Sequence, residues 1–437
     1  MTTKPLPYAA LHQIWTEIPA AERMQRFRSL PLAEAQAFFR ELSTWHQYEI
    51  VSSLPEGEQT VWVRLLDPDD AADLVQEAPE EDKQRLLNLL DDNTRSEVQG
   101  LLKYAEDVAG GLMSPRFARL RPDLTVSEAL IYLRRQALET TETVYALYVL
   151  DSEQHLLGVT SLRRLFTAPP QELITNVMRT NVVAVTEDVD QEQLSRLFAE
   201  SDLIAIPVVD TENRMKGIVT IDDIVDVVEE EATEDIQKLG GSAVLGAPYL
   251  ELSMGTMIKK RAGWLVILFL SELLTTNAMG YFQDEIARAA VLALFVPLVI
   301  SSGGNAGSQA STIVIRAMAL GEVQLRDWWR VFQREIVIGA GLGAILGVLG
   351  LARIILWQQF LPSYGQFYWL LGTTIGVSLV GIVLWGTLAG SLLPFVLRRL
   401  GLDPASASTP FVATVVDVTG LVIYFTVAKL VLRGTLL

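Results

Sequence analysis

The sequence predicts a multidomain membrane protein: an all-α superhelical N-terminal domain, an α/β tandem pair, an acidic connecting helix and a five-helix α transmembrane domain. Three observations predict it. The chain after residue 262 is almost continuously apolar. Residues 112–230 contain an internal duplication. The first hundred residues show helical periodicity broken by regular turn signals.

Charge divides the 437 residues unevenly. Residues 1–262 hold 44 of the 52 acidic and 25 of the 35 basic residues, so the net charge of −17 belongs to this half. An acidic surface argues against nucleic acid, which binds basic surfaces, and fits one that attracts cations. With no cysteine, disulfides, zinc–thiolate sites and thiol nucleophiles are excluded. The three histidines, His12, His46 and His155, all fall in the first half, which disfavours a His-based hydrolase. No phosphate-cradling Walker sequence and no nucleophile–base pair is present, so neither an enzyme nor an ATP-driven pump is expected. The opening MTTKPLPYAALHQ has no apolar signal-peptide core, and the acidic half is expected in the cytosol.

Residues 1–110 read as a stack of short helices. Ala35, Phe38, Phe39 and Leu42 recur three and four apart. Leu54-Pro55-Glu56-Gly57, Asp67-Pro68-Asp69-Asp70 and Ala78-Pro79 punctuate the run. Helix pairs of similar length imply a small superhelix.

Residues 111–230 hold two copies of one pattern, about 111–172 and 173–230. The first opens at Leu112-Met113-Ser114-Pro115 and the second at Val177-Met178-Arg179-Thr180. Each offers a strand ending in Asp (Asp151, Asp210) and then a glycine seven residues later (Gly158, Gly217). Each closes with a short β-branched strand and a helix start. This order resembles a tandem pair of cystathionine-β-synthase (CBS) domains. In that family a Thr and an Asp three residues later often hold a nucleotide ribose. Thr220 and Asp223 match in the second copy, and Ser161 and Arg164 stand there in the first. ATP at one site is therefore one reading. The other is that Thr220 and Asp223 simply cap the following helix.

Residues 231–262 form the connecting segment, an acidic helix that ends in Lys259-Lys260-Arg261. Its acidic run begins earlier, at Asp222, Asp223 and Asp226, and continues through Glu231, Glu234 and Asp235. Like charges at i,i+4, such as Asp222 with Asp226, destabilise a helix. A hard divalent cation would relieve that repulsion; a solvated acidic face is the plainer reading.

Residues 263–437 contain five apolar stretches able to span roughly 30 Å of hydrocarbon, about 263–282, 288–315, 333–356, 368–396 and 409–435. Basic residues cluster before the first, between the second and third, and between the fourth and fifth. That alternation places the N-terminus inside and the C-terminus outside. Polar groups within spans are costly and usually functional. Glu272 lies in the first span. The second holds Gly303, Gly304, Asn305, Gly307 and Gln309, a run that serves either close helix packing or exposed backbone beside a cavity. Asp417 sits in the fifth among Val, Thr and Gly. Such a carboxylate either lines a hydrated path or bonds a neighbouring helix.

Helical stack, CBS pair, acidic helix and five spans, in this order, resemble the MgtE family of magnesium channels. Ala109-Gly110-Gly111-Leu112-Met113-Ser114, Pro297 through Gln309, Gly401-Leu402-Asp403-Pro404-Ala405 and Thr414 through Gly420 strengthen the resemblance. It implies a homodimer in the plasma membrane lipid with a pore at the dimer interface. It also implies an Mg²⁺ site at Asp417 with Ala413 one turn earlier. Asp222, Asp223, Asp226, Glu231, Glu234 and Asp235 would be the cytosolic sensor. The connecting helix would plug the pore when they hold Mg²⁺. Asp67, Asp69, Asp70, Asp91 and Asp92 are looser sensor candidates. Regulatory ATP is implied for some members, and Arg164 speaks against it in the first copy. Other divalent cations (Co²⁺, Mn²⁺, Ca²⁺) and a non-conducting membrane sensor are the alternatives.

Overall fold

A computed structural model of the chain describes residues 11–12, 14–136, 143–360 and 364–436. It comprises two compact units, Met1–Glu231 and Ala232–Leu437.

The first unit begins with short helices: α1 Ala20–Arg28, α2 Leu32–Arg40, α3 Thr44–Ser53, α4 Glu56–Val63, α5 Pro68–Glu77, α6 Glu80–Leu89 and α7 Asp92–Leu101. Proline sets their length. Pro19, Pro31, Pro55 and Pro79 each immediately precede a helix, and Pro68 opens α5. A proline starts a helix well but prevents the preceding residue from continuing one. Asp91 caps α7 instead, accepting from the N–H groups of Asn93 and Thr94 at 3.1 Å each. The helices bury Phe27, Phe38, Phe39, Leu74 and Leu90 in one core. Arg23, 4% exposed, crosses this core to pair with Glu49 at 2.9 Å and donates to the Trp15 and Ile18 carbonyls.

After α8 (Ala109–Leu112) come the two copies. The first contains β1 Arg119–Leu120, α9 Val126–Gln136, β2 Ala146–Leu150, β3 Leu156–Ser161 and α10 Leu162–Thr167. The second contains α11 Ile174–Val177, β4 Val185–Thr186, α12 Gln191–Ser201, β5 Ala205–Val209, β6 Met215–Thr220 and α13 Ile221–Leu239. Each copy forms a three-stranded sheet, β1-β2-β3 and β4-β5-β6, parallel then antiparallel. The sheets share a bulge at the same place, Val149/Leu150 and Val208/Val209. The copies also clasp each other. Ser114 exchanges backbone hydrogen bonds with Ile218, and Arg179 with Val159. Gly158 lies against Met178 and the Arg179 carbonyl, and Gly217 against Met113 and the Ser114 carbonyl. A Cβ on either glycine would stand 2.7 Å from the carbonyl oxygen, so the Met of each copy requires the Gly of the other.

Helix α13 starts directly after β6 and crosses the boundary between the units. It stops at Leu239 because Gly240 and Gly241 follow, Gly241 at φ +70°. No helix occupies residues 242–253, so within the expected connecting segment 231–262 the acidic helix supplies only the first part.

The second unit holds α14 Met254–Tyr281, α15 Gln283–Arg288, α16 Ala290–Ala293, α17 Val296–Ala319, α18 Trp328–Phe360, α19 Tyr368–Arg399 and α20 Thr409–Val431. Among the described residues, five spans are long and apolar enough to cross a membrane, with α16 and α17 together forming the second. Their tightest seams are glycine on glycine. A Cβ on Gly386 or Gly390 would collide with the backbone of Gly303 or Gly307, so α17 and α19 touch through their main chains. Helix α14 begins nine residues before the apolar stretch, at the Ser253 cap, and therefore includes Lys259, Lys260 and Arg261.

Candidate cation sites

Two groups of carboxylates have the character of cation sites, one in each unit. In the first unit α5 presents Asp70 and Asp73 one turn apart, and their fields overlap those of α13. Burial, then Asp223 and Asp67, push the Asp70 carboxyl up to about 7, against the opposing pull of Arg40. The residue keeps an open edge to solvent although protein crowds its carboxyl. Burial, then Asp70, Asp223, Glu230 and Glu106, push Asp73 up to about 8. Burial raises Asp223 to about 6 even though Thr220 donates to it. Asp226 and Glu230 are also raised, first by burial and then by neighbouring acids. Crowded carboxylates short of positive charge are ligands that a hard divalent cation would stabilise.

Thr220 and Asp223 are bonded to one another. The Thr220 hydroxyl donates to the carboxylate at 2.6 Å and its N–H at 3.1 Å. In the first copy the Ser161 hydroxyl oxygen accepts from the Arg164 N–H at 3.2 Å. Both are helix-start arrangements.

In the second unit Asp417 lies half-buried on α20. Among the described residues, no group hydrogen-bonds its carboxylate. Gly304 on α17 backs onto it: a Cβ there would stand 3.8 Å from an Asp417 carboxyl oxygen and 3.5 Å from the Ala413 Cβ. The acid whose field reaches Asp417 is Glu272 on α14. Helix contacts explain why. Trp264 meets Phe411 with ring centres 6.2 Å apart, and Phe282 stacks on Phe425 at 5.1 Å, so α14 and α20 run side by side in one direction. Counted from the first contact at 1.5 Å per residue, Glu272 lies about 12 Å along and Asp417 about 9 Å.

Residues 6–107 match the MgtE intracellular N domain, residues 105–170 and 174–230 match the CBS domain, and residues 296–427 match MgtE, a divalent cation transporter family. The magnesium transporter MgtE of Thermus thermophilus is 44% identical over 348 residues, 79% of this chain and 74% of the relative. The chain belongs to the MgtE family. Magnesium transporters MgtE of Enterococcus faecalis and Bacillus subtilis are 33% and 34% identical, over 77% and 76% of this chain and 72% and 71% of theirs. A solved cytosolic domain of the Mg²⁺ channel MgtE in complex with ATP is 40% identical, covers 51% of this chain and 90% of that one, and has a TM-score of 0.48.

Within this MgtE-family chain the six sensor candidates between residues 222 and 235 do not form one group. Asp222 and Asp223 stand near Asp70, and Asp223 also near Asp73, while Asp226 adjoins Asp222 and Asp223 on α13. Glu231 accepts from Gln191 at 2.5 Å. Glu234 pairs with Lys238, and Asp235 lies half-buried one residue on. Of the looser candidates, Asp69 is 7% exposed, on the core side of α5, and Asp91 serves as a cap. Asp73 and Glu106 belong to this group without standing out in the sequence, and Glu230 joins it from within the acidic run. Asp73 carried a usable signal, since it follows Asp70 by three residues on one helix face. Gly303 and Gly307 pack on α19, whereas Gly304 turns to Ala413 and Asp417. Asn305 and Gln309 share an exposed face of α17.

Proposed function

We propose that this MgtE-family chain carries Mg²⁺ across the plasma membrane along a path passing Asp417, Ala413 and Gly304, and that Mg²⁺ on its cytosolic acidic residues closes that path. The single observation that carries the reading is the Asp417 carboxylate. It stands within a span with no hydrogen-bond donor from the described chain, backed by glycine rather than by a bulky side chain. A carboxylate so placed is costly unless water or a cation reaches it. The Mg²⁺ transporters of the three related bacteria support the choice of ion.

Mg²⁺ gives up its waters reluctantly, so few direct ligands are needed. A carboxylate attracts the hydrated ion without stripping it. In a homodimer two such groups would face one another across the symmetry axis and strengthen that attraction. The acidic faces of α5 and α13 supply the feedback. Mg²⁺ neutralises Asp70, Asp73, Asp223, Asp226 and Glu230 and favours their close arrangement; its loss restores repulsion and frees the path. The basic residues beside alternate spans support an orientation with these carboxylates in the cytosol and the C-terminus outside. If ATP contributes, the second copy holds it, since Arg164 replaces the acid in the first.

The test is uptake into liposomes loaded with a Mg²⁺ dye under an inside-negative potential, with Mg²⁺, Co²⁺ or Mn²⁺ supplied in turn. Mg²⁺ uptake that stops when Mg²⁺ bathes the acidic half is the expected result. Uptake of another cation without Mg²⁺, or a sealed membrane under all conditions, would overturn the reading.

A further inference from the structure

The end of α13 is tied to the segment before α20 by a charged side chain. Lys238 donates to the Asp403 carboxylate at 2.6 Å and also pairs with Glu234 one turn back on its own helix. The two acids hold the ammonium charged well above its usual range, despite the burial that opposes charging. Asp403 uses its other oxygen to accept the Ala405 N–H at 2.8 Å, opening the 3₁₀ turn Pro404–Ser406. Ala405 and Ala407 are buried against Ile315 of α17, with Leu239 of α13 packed on the same cluster. Ser408 then caps α20, and its hydroxyl oxygen accepts from Trp264 Nε1 at 3.1 Å. Ser311 and Ser308 of α17 donate to the Ala407 and Thr409 carbonyls at 3.0 and 3.2 Å.

Residues 403–409 are thus a rigid collar around the first turn of α20, and Ala413 and Asp417 lie on the next two turns. Among the described residues, Lys238 is the collar's charged attachment to α13. We propose that Lys238 is a positioning residue that transmits the setting of the acidic helix to α20 through Asp403. The Glu234–Lys238–Asp403 triad contains its own cation, so this junction holds whether or not divalent ions are present. The response to Mg²⁺ is left to the carboxylates upstream on α13. Movement of the last turn of α13 then pulls on the collar, and hence on the helix that carries Asp417.

This inference rests on the transport reading above. The experiment is Mg²⁺ flux in liposomes at graded Mg²⁺ on the acidic side, for the full chain, Lys238→Met and Asp403→Asn. The asparagine keeps an oxygen for the Ala405 N–H and removes the charge. Both variants should conduct yet need about fivefold or more Mg²⁺ to close, a typical coupling between linked sites. The double variant Lys238→Met with Asp403→Asn should close at the same shifted concentration as either single variant, as two residues acting through one contact are not additive. Folded single variants that close at the wild-type concentration would overturn the proposal, as would a double variant whose shift is the sum of the two. No flux from the unmodified chain would instead remove the transport reading beneath it.

Discussion

Gly304 faces Asp417 across the contact between α17 and α20, close enough that a methyl group on the glycine would stand 3.8 Å from a carboxyl oxygen. That distance is ordinary van der Waals contact, so Gly304→Ala should fold and conduct. Gly304→Leu would fill the space beside the carboxylate. We expect its Mg²⁺ flux to fall about tenfold or more while the protein remains monodisperse in detergent, since packed spans leave no slack for added volume. Wild-type flux through the leucine variant would place the path elsewhere.

The acidic faces of α5 and α13 make stability depend on pH in a definite direction. Asp70 and Asp73 move from an ordinary value of 3.8 to about 7 and about 8 on folding. Across that window the folded state binds more protons than the unfolded one. Stability without divalent ions therefore falls as pH rises from about 4 to about 8. Added Mg²⁺ should raise the melting temperature strongly at pH 8 and weakly at pH 5, where protons already neutralise the cluster. Melts of the detergent-solubilised chain in chelator and in Mg²⁺ measure both. Equal Mg²⁺ stabilisation at the two values would detach metal binding from these carboxylates.

Neutralising the same pair removes repulsion and ligands together. Asp70→Asn with Asp73→Asn should melt higher than the wild type in chelator at pH 8, and should gain less from Mg²⁺. A variant that melts lower in chelator would mean these acids hold the fold by contacts other than their charge.

Arg23 is a structural contrast to these sites. It is buried, paired with Glu49 and bonded to two carbonyls, so Arg23→Met removes a buried guanidinium together with its ion pair and both carbonyl bonds. A loss of about 3 kcal/mol in the stability of the helical stack is expected. Denaturant unfolding measures it, and a change below about 1 kcal/mol, the scale of an exposed pair, would show that the pair is solvated.

Glu272 stands close to the level of Asp417 on the adjacent helix. Glu272→Gln should weaken capture of the ion and not abolish passage. Flux should drop several-fold at low external Mg²⁺ and recover at high Mg²⁺, following the lost attraction. Superimposable concentration curves for variant and wild type would take Glu272 out of the path.

Much of this architecture is legible in the residues because it depends on local chemistry. The prolines that open most of the short helices, the repeated Asp-to-Gly spacing and the five apolar runs all act over a few residues. Asp417 is legible for the same reason, as a charge in an apolar helix. The acidic site is only half legible. Asp222, Asp223 and Asp226 announce themselves as neighbours, but Asp70 and Asp73 join them from a helix 150 residues earlier. Only the packing of α5 beside α13 makes one group of them. The division of the 222–235 run was hidden too, because Glu234 is taken by Lys238, whose second partner is Asp403. Even the glycines of α17 differ, with Gly303 wedged between Ile382 of α19 and Val416 of α20 and Gly304 beside Ala413 and Asp417, a distinction that composition cannot carry.

The most direct measurement is Mg²⁺ flux into liposomes with no Mg²⁺ on the acidic side, wild type beside Asp417→Ala. A path through Asp417 predicts uptake by the wild type and its loss in the alanine variant, which keeps the fold because no hydrogen bond of the described chain depends on that carboxylate. Equal uptake by both proteins would contradict the central claim.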